Sequence, residues 1–116
     1  MTLIESLELA GVDTKTTLYR FGGNAALLER FIRKFPQDGT YAQLGEAARE
    51  RRYGDVERLA HTLKGTSANL GYDQLSRHSA ALVSAVRDGS TDRVEELFAP
   101  LEAEYQKVVS LIAQID

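Results

Sequence analysis

The sequence VEELFAPLEAEYQKVVSLIAQI occupies residues 94–115 and carries an unbroken apolar pattern. Its apolar residues follow one another at alternating steps of four and three: Val94, Phe98, Leu101, Tyr105, Val108, Ile112 and Ile115. This spacing is typical of an α-helix that packs lengthwise in a bundle. Pro100 lies within the stretch, so we expect either a kink there or a false start near the N-terminal end of the helix.

Upstream of this stretch, apolar residues also recur at helical spacing between sparse turn signals. Helix caps and stops divide the region from residue 24 to residue 92 into three further long helical segments. The predicted boundaries, in chain order, are an N-cap at Asn24, a bend or stop at Pro36 and Gly39, a restart at Thr40, a stop and cap at Gly54-Asp55, a stop at Gly71, an end at Gly89 and a start at Ser90-Thr91-Asp92. The first of these segments should carry Leu27, Leu28, Phe31, Ile32 and Phe35 on one side.

Two short helices are predicted at the N-terminus. Thr2 and Glu5 form a capping-box pattern that opens a helix to about Ala10, and Asp13 is the predicted N-cap of a second helix. No segment shows sustained alternation of apolar and polar residues, so we expect no strand. The sequence therefore predicts one all-α domain over residues 1–116, an antiparallel up-and-down four-helix bundle with additional short N-terminal helices at one end.

The composition favours a globular protein and excludes several functional classes. Of the 116 residues, 43% are hydrophobic and 27% are charged, and the formal net charge of −3 gives no basic field for nucleic acid or anionic membrane. The absence of cysteine excludes disulfides and thiolate metal sites. We find no apolar run of about 20 residues that could span a bilayer and no secretory signal, so we expect a cytoplasmic protein.

The helix predicted after Gly54 separates one histidine from its apolar side. At about 100° per residue, the core positions lie almost opposite His61; they are Val56, Leu59, Leu63 and Leu70. The positions within about 60° of His61 are Glu57, Lys64, Gly65 and Ala68. The pattern thus predicts an exposed imidazole beside a cation and two residues with little or no side chain.

Each of these neighbours has a chemical use. A neutral imidazole is a good nucleophile near pH 7. Lys64 can neutralise charge on a phosphoryl group bound to the ring. Gly65 costs the helix about 1 kcal/mol relative to alanine, and close approach by a partner protein would explain that cost.

The stretch HTLKGTSANLG, residues 61–71, resembles the phosphorylation-site motif of histidine-containing phosphotransfer (HPt) domains, His-x-Leu-Lys-Gly-x-Ser/Ala-x-x-Leu-Gly. The upstream residues Gly11-Val12-Asp13 and 18–24, with Phe31 and Leu44, match the lead-in of such domains more loosely. The resemblance covers nearly the whole chain. It implies a four-helix bundle with extra N-terminal helices, as the helix pattern indicates independently.

The resemblance also implies a function. His61 would accept and donate a phosphoryl group through Nε2, Lys64 would stabilise its charge, and Gly65, Ala68 and Asn69 would contact the partner. The partners would be receiver domains of response regulators and hybrid sensor kinases, and the receiver would supply Mg²⁺. The chain would be a monomeric phosphocarrier that needs no cofactor or metal of its own and, without an ATP-site motif, is not an enzyme.

Some alternatives stay open at this point. The family often has an acidic residue where this chain has Val83, which leaves unsettled what orients the ring from the next helix. An HPt-fold adaptor that binds a receiver or kinase without being phosphorylated is the second functional class. We interpret His78 as a half-buried structural residue and Arg87 as a solvated charge at a helix end, and two histidines without close ligand spacing are a weak metal signal.

Overall fold

The computed structural model describes residues 1–114, and every regular element in this range is helical. The seven α-helices are α1 (Leu3–Leu9), α2 (Thr14–Arg20), α3 (Ala25–Lys34), α4 (Thr40–Arg49), α5 (Tyr53–Asn69), α6 (Asp73–Arg87) and α7 (Val94–Ala113). Short 3-10 turns, Phe35–Gln37 and Thr91–Arg93, precede α4 and α7. The all-α prediction is confirmed, while Ile115, the last residue of the predicted seam, lies outside the described range.

Side-chain caps start the first three helices as the sequence predicts. Thr2 forms a complete capping box with Glu5, in which each side chain binds the other residue's backbone N–H. Asp13 Oδ1 accepts from the Thr16 N–H at 3.0 Å, and Asn24 Oδ1 accepts from the Leu27 N–H at 3.0 Å. These contacts satisfy N–H groups that the first turn of a helix leaves without an intrahelical partner.

The proline and glycine after α3 end the helix. Pro36 lies in the 3-10 turn, and Gly39 is the N-cap of α4. The segment predicted as one bent or interrupted helix is therefore two helices.

The predicted stop and cap at Gly54-Asp55 is wrong. α5 begins at Tyr53, and the stop is Arg51, whose φ of 57° lies in the left-handed region. The N–H groups of Arg51 and Arg52 bind the carbonyls of Ala48 and Ala47, the pattern that usually ends a helix with glycine. Because an arginine takes the glycine's place, the sequence gives no local signal for this turn.

Pro100 does not mark a false start. It lies within α7, which runs continuously from Val94 after the 3-10 turn that contains Thr91 and Asp92. Its missing N–H removes one hydrogen bond from the first half of the helix, and the proline itself is exposed.

Helices α4 to α7 form the bundle. α5 packs against α4 and α6, and α7 packs against the same two helices. Two contacts show that α5 and α6 run antiparallel, since Ser76 binds Lys64 whereas Arg87, farther along α6, binds the earlier residue Glu57. Each helix contributes leucine to one core, through Leu44, Leu63, Leu82 and Leu101.

The N-terminal helices cover the end of the bundle where α5 terminates. Gly71 follows α5 at a φ of 84°, and a Cβ there would lie 2.4 Å from Thr17 Oγ1 on α2. α1 packs on α2 and α7, and α2 packs on α3. The predicted cover at one end of the bundle is confirmed, and α3 is a third helix beside it.

Candidate functional site

His61 lies near the middle of α5 and is exposed. On the opposite side of this helix, Val56 and Leu63 are buried in the bundle core. The amphipathic pattern of α5 therefore fixes the direction of the imidazole, because burial of the leucine side leaves the histidine side in solvent.

Toward the C-terminus of α5, the residues beside His61 form a surface on which no large side chain covers the imidazole. Lys64, Gly65 and Asn69 are exposed, and Ala68 is half-buried. Apart from its chain neighbours and the nearby backbone of α5 itself, a Cβ built on Gly65 would meet no atom within 4 Å. No contact within the described chain therefore requires glycine at this position.

A groove runs along one side of this surface, between α5 and the end of α3. Its lining residues, which we call the α3 groove, are Phe31, Lys34, Phe35, Asp38, Gly65, Thr66, Asn69 and Leu70. Phe31 is 45% exposed and its ring packs on Phe21, at a centroid distance of 5.3 Å. The sequence grouped Phe31 with the apolar side of α3, and helical spacing alone could not show that its ring would reach the surface.

On the other side of the surface, α6 is tied to α5 by two polar contacts. Ser76 Oγ donates to the Lys64 carbonyl at 3.1 Å, and Arg87 Nε donates to Glu57 Oε2 at 3.0 Å. Arg87 lies in the last turn of α6, as predicted for a basic residue at a helix end. It is more than a solvated charge, however, because it forms an ion pair with Glu57. Sequence reasoning missed this pair, since it depends on the register of two helices.

The C-terminus of α5 is held from α2. Arg20 Nη1 donates to the carbonyl oxygens of Ala68 at 3.0 Å and Asn69 at 3.2 Å. The last carbonyls of a helix have no intrahelical partner, so this guanidinium acts as a distant cap. Arg20 and Ala68 are 48 residues apart in sequence, and no local pattern links Arg20 to this role.

A second ion-pair group lies at the start of α5. Arg58 Nη2 approaches Asp55 Oδ1 at 3.5 Å, and Asp55 also accepts a hydrogen bond from Arg52. The hydrogen bond from Arg52 lowers the pKa of Asp55, which keeps this carboxylate charged beside Arg58. Arg58 thus has a carboxylate partner of its own.

The remaining sequence candidates lie apart from this surface. His78 is half-buried, and Val83 is 5% exposed and belongs to the core, so it brings no polar group from α6. Among residues 1–114, no three histidine, aspartate or glutamate side chains converge in a way that could hold a metal ion. The described helices also include none that combines the length and apolar character needed to cross a membrane.

A comparison with family models identifies residues 26–111 as an Hpt domain. The chain belongs to the Hpt domain family. Members of this family carry phosphoryl groups on histidine in phosphorelays and interact with receiver domains. Comparisons with curated proteins and with solved structures gave no match. The matched range of this HPt domain includes α4, α5, α6, most of α7 and the whole α3 groove.

Proposed function

We propose that this HPt domain accepts a phosphoryl group on His61 from an aspartyl phosphate of a receiver domain and returns it to such an aspartate. The observation that carries the proposal is the setting of His61, an exposed imidazole in the middle of a packed helix with open space at Gly65 one turn away. A receiver active site can approach a ring in this position, because neither helix nor loop covers it among the described residues.

The chemical step needs only a positioned nucleophile on this chain. Nε2 of the neutral imidazole attacks phosphorus, a P–N bond forms, and the P–O bond to the receiver aspartate breaks with the electron pair leaving on the carboxylate. Nδ1 keeps its proton, and the reverse step regenerates the neutral ring. The receiver supplies Mg²⁺, so the HPt domain contributes orientation and counter-charge.

Lys64 is the residue best placed to supply that counter-charge. It follows His61 by three residues, so the two side chains are neighbours on the surface of α5. Its ammonium has no ion-pair partner within residues 1–114, unlike Arg58 and Arg87. We infer that it stabilises the phosphoryl charge on His61.

The α3 groove supports a direction of approach for the receiver. Gly65 and Asn69 form one wall of the groove, and the exposed ring of Phe31 lies on the other. An aromatic side chain in a surface groove is a common anchor at protein interfaces. We therefore assign Gly65, Ala68 and Asn69 to the contact surface and add Phe31 to it.

Replacing His61 by glutamine tests the proposal. A receiver domain charged with acetyl phosphate should label the parent and leave His61→Gln unlabelled, while helicity and melting temperature stay nearly unchanged because the ring is exposed. His78→Gln is the matched control and should be labelled like the parent. The adduct should be labile in acid and stable in base, as a phosphoramidate is.

Two results would refute the assignment. One is undiminished labelling of His61→Gln, and the other is a base-labile adduct, which would indicate a carboxylate acceptor. If the parent binds charged receivers but is never labelled, the adaptor function is the correct one.

A further inference from the structure

Glu57 and Arg87 form an ion pair beside His61. Arg87 Nε donates to Glu57 Oε2 at 3.0 Å across the contact between α5 and α6. Glu57 precedes His61 by four residues, so their Cβ atoms are neighbours on one side of α5, about 6 Å apart. Glu57 therefore lies one helical turn from any charge that forms on the imidazole.

Glu57 is the one acidic side chain that α5 places within a turn of His61. The other charged neighbours on this helix are the cations Arg58, which pairs with Asp55, and Lys64. A phosphoryl group on the ring brings negative charge into this setting, and a bare carboxylate at Glu57 would repel it.

Arg87 is the charged residue that α6 brings to this side of α5. Ser76 and Arg87 both contact α5, and Ala80 and Ser84 lie between them at helical spacing without charge. Arg77 is directed elsewhere, since it lines a cavity with Glu104 and Lys107 of α7. On α4, Arg49 lies toward α7 beside Phe98, and Glu46 is exposed.

The exposure of the pair argues against a mainly structural role. The side chain of Arg87 is 59% exposed and that of Glu57 is 34% exposed, and ion pairs in such positions add little to stability. The ion pair nevertheless matters for a neighbouring charge. The guanidinium of Arg87, at hydrogen-bond distance from the Glu57 carboxylate, largely cancels the electric field that this carboxylate exerts at His61.

We propose that Arg87 is a positioning residue that favours phosphorylation of His61 indirectly, by holding and neutralising Glu57. The proposal rests on His61 as the phosphoacceptor. A direct contact between Arg87 and the phosphoryl group would not depend on Glu57. The indirect effect proposed here requires that Glu57 be charged.

A double-mutant cycle separates the two mechanisms. The variants are Arg87→Ala, Glu57→Gln and the double variant, and the measurement is the equilibrium constant for transfer from a receiver charged with acetyl phosphate. Arg87→Ala should lower this constant about threefold at low salt, the Coulomb effect expected of one unmasked charge acting over about the Cβ spacing of 6 Å. The double variant should return to the parent value or above, and the loss should shrink at high salt.

Arg93→Ala is the matched control. Arg93 is also an exposed arginine paired with a glutamate, at 3.7 Å from Glu96, but it lies at the start of α7. The substitution makes the same change in net charge, so an equal loss in Arg93→Ala would mean that the effect of Arg87 is not local. Melting temperatures of all variants should agree closely.

A second probe needs no receiver. The rate at which phosphoramidate labels His61 should fall in Arg87→Ala and recover in the double variant, because the donor is small and the local charge alone differs. If the double variant stays as low as Arg87→Ala in both assays, or if Arg87→Ala equals the parent, the proposal is wrong. Failure of the proposed function would appear differently, as a parent that phosphoramidate labels at His61 and charged receivers do not.

Discussion

Gly65 shows how a residue with no packing role can still be constrained. A side chain at this position would enter open solvent, so the helix gains nothing from glycine and loses propensity by having it. Gly65→Ala should therefore raise the free energy of unfolding by up to about 1 kcal/mol. Gly65→Gln should fold well but lose receiver binding and transfer together, because its longer side chain stands beside the α3 groove.

Calorimetry with a receiver, urea unfolding and single-turnover transfer together check this prediction. Gly65→Ala is the matched control for the added length of glutamine. A Gly65→Gln variant that binds and transfers like the parent would show that the receiver does not approach over Gly65.

At the scale of elements, the sequence predicts the end of a helix wherever a nearby residue, such as a capping side chain or a glycine, causes it. Thr2, Asp13 and Asn24 cap the helices that follow them, and Gly71 ends α5, because each acts on backbone within a few residues. The turn between α4 and α5 could not be predicted this way. Arg51 adopts a left-handed conformation that favours glycine, so its geometry comes from the packing of the two helices rather than from its own preference.

Arg51→Gly should stabilise the domain. A residue with a Cβ costs roughly 1–2 kcal/mol in the left-handed conformation, and glycine avoids this cost. The greater conformational freedom of glycine in the unfolded chain offsets about 0.4–1 kcal/mol of the resulting stabilisation. The net increase in the free energy of unfolding should be about 0.5–1 kcal/mol, measured by urea titration. Arg51→Ala removes the same side chain without relieving the backbone, and equal stability of the two variants would show that the turn is not strained.

Across the whole molecule, the site divides into a local part and an assembled part. His61, Lys64, Gly65, Ala68 and Asn69 lie on one helix, so helical spacing alone groups them. The cap from Arg20, the pair with Arg87 and the ring of Phe31 come from three other helices. Their positions depend on the register and tilt with which helices pack, which local periodicity does not encode. The order of the helices and the caps of the first three could thus be predicted, whereas the wall of the α3 groove that α3 contributes could not.

The residues that come from other helices lead to a prediction that the residues on α5 alone do not. If the receiver docks in the α3 groove, Phe31→Ala should weaken receiver affinity roughly tenfold or more, as expected for an aromatic anchor. Receiver-dependent transfer to His61 should fall accordingly, whereas labelling by phosphoramidate, a small donor that needs no docking, should be unchanged. Helicity should persist because the ring is 45% exposed.

Leu9→Ala is the matched control for this prediction. Leu9 is an apolar residue that is 75% exposed on α1 and does not line the groove. Its removal should leave both receiver affinity and transfer at the parent values. If Leu9→Ala weakens binding as much as Phe31→Ala, the receiver recognises exposed apolar surface in general. If both variants bind like the parent, the receiver approaches His61 from the α6 side. The side chains of Ser76, Ala80 and Ser84 are small, so this side of the site is also open to a partner.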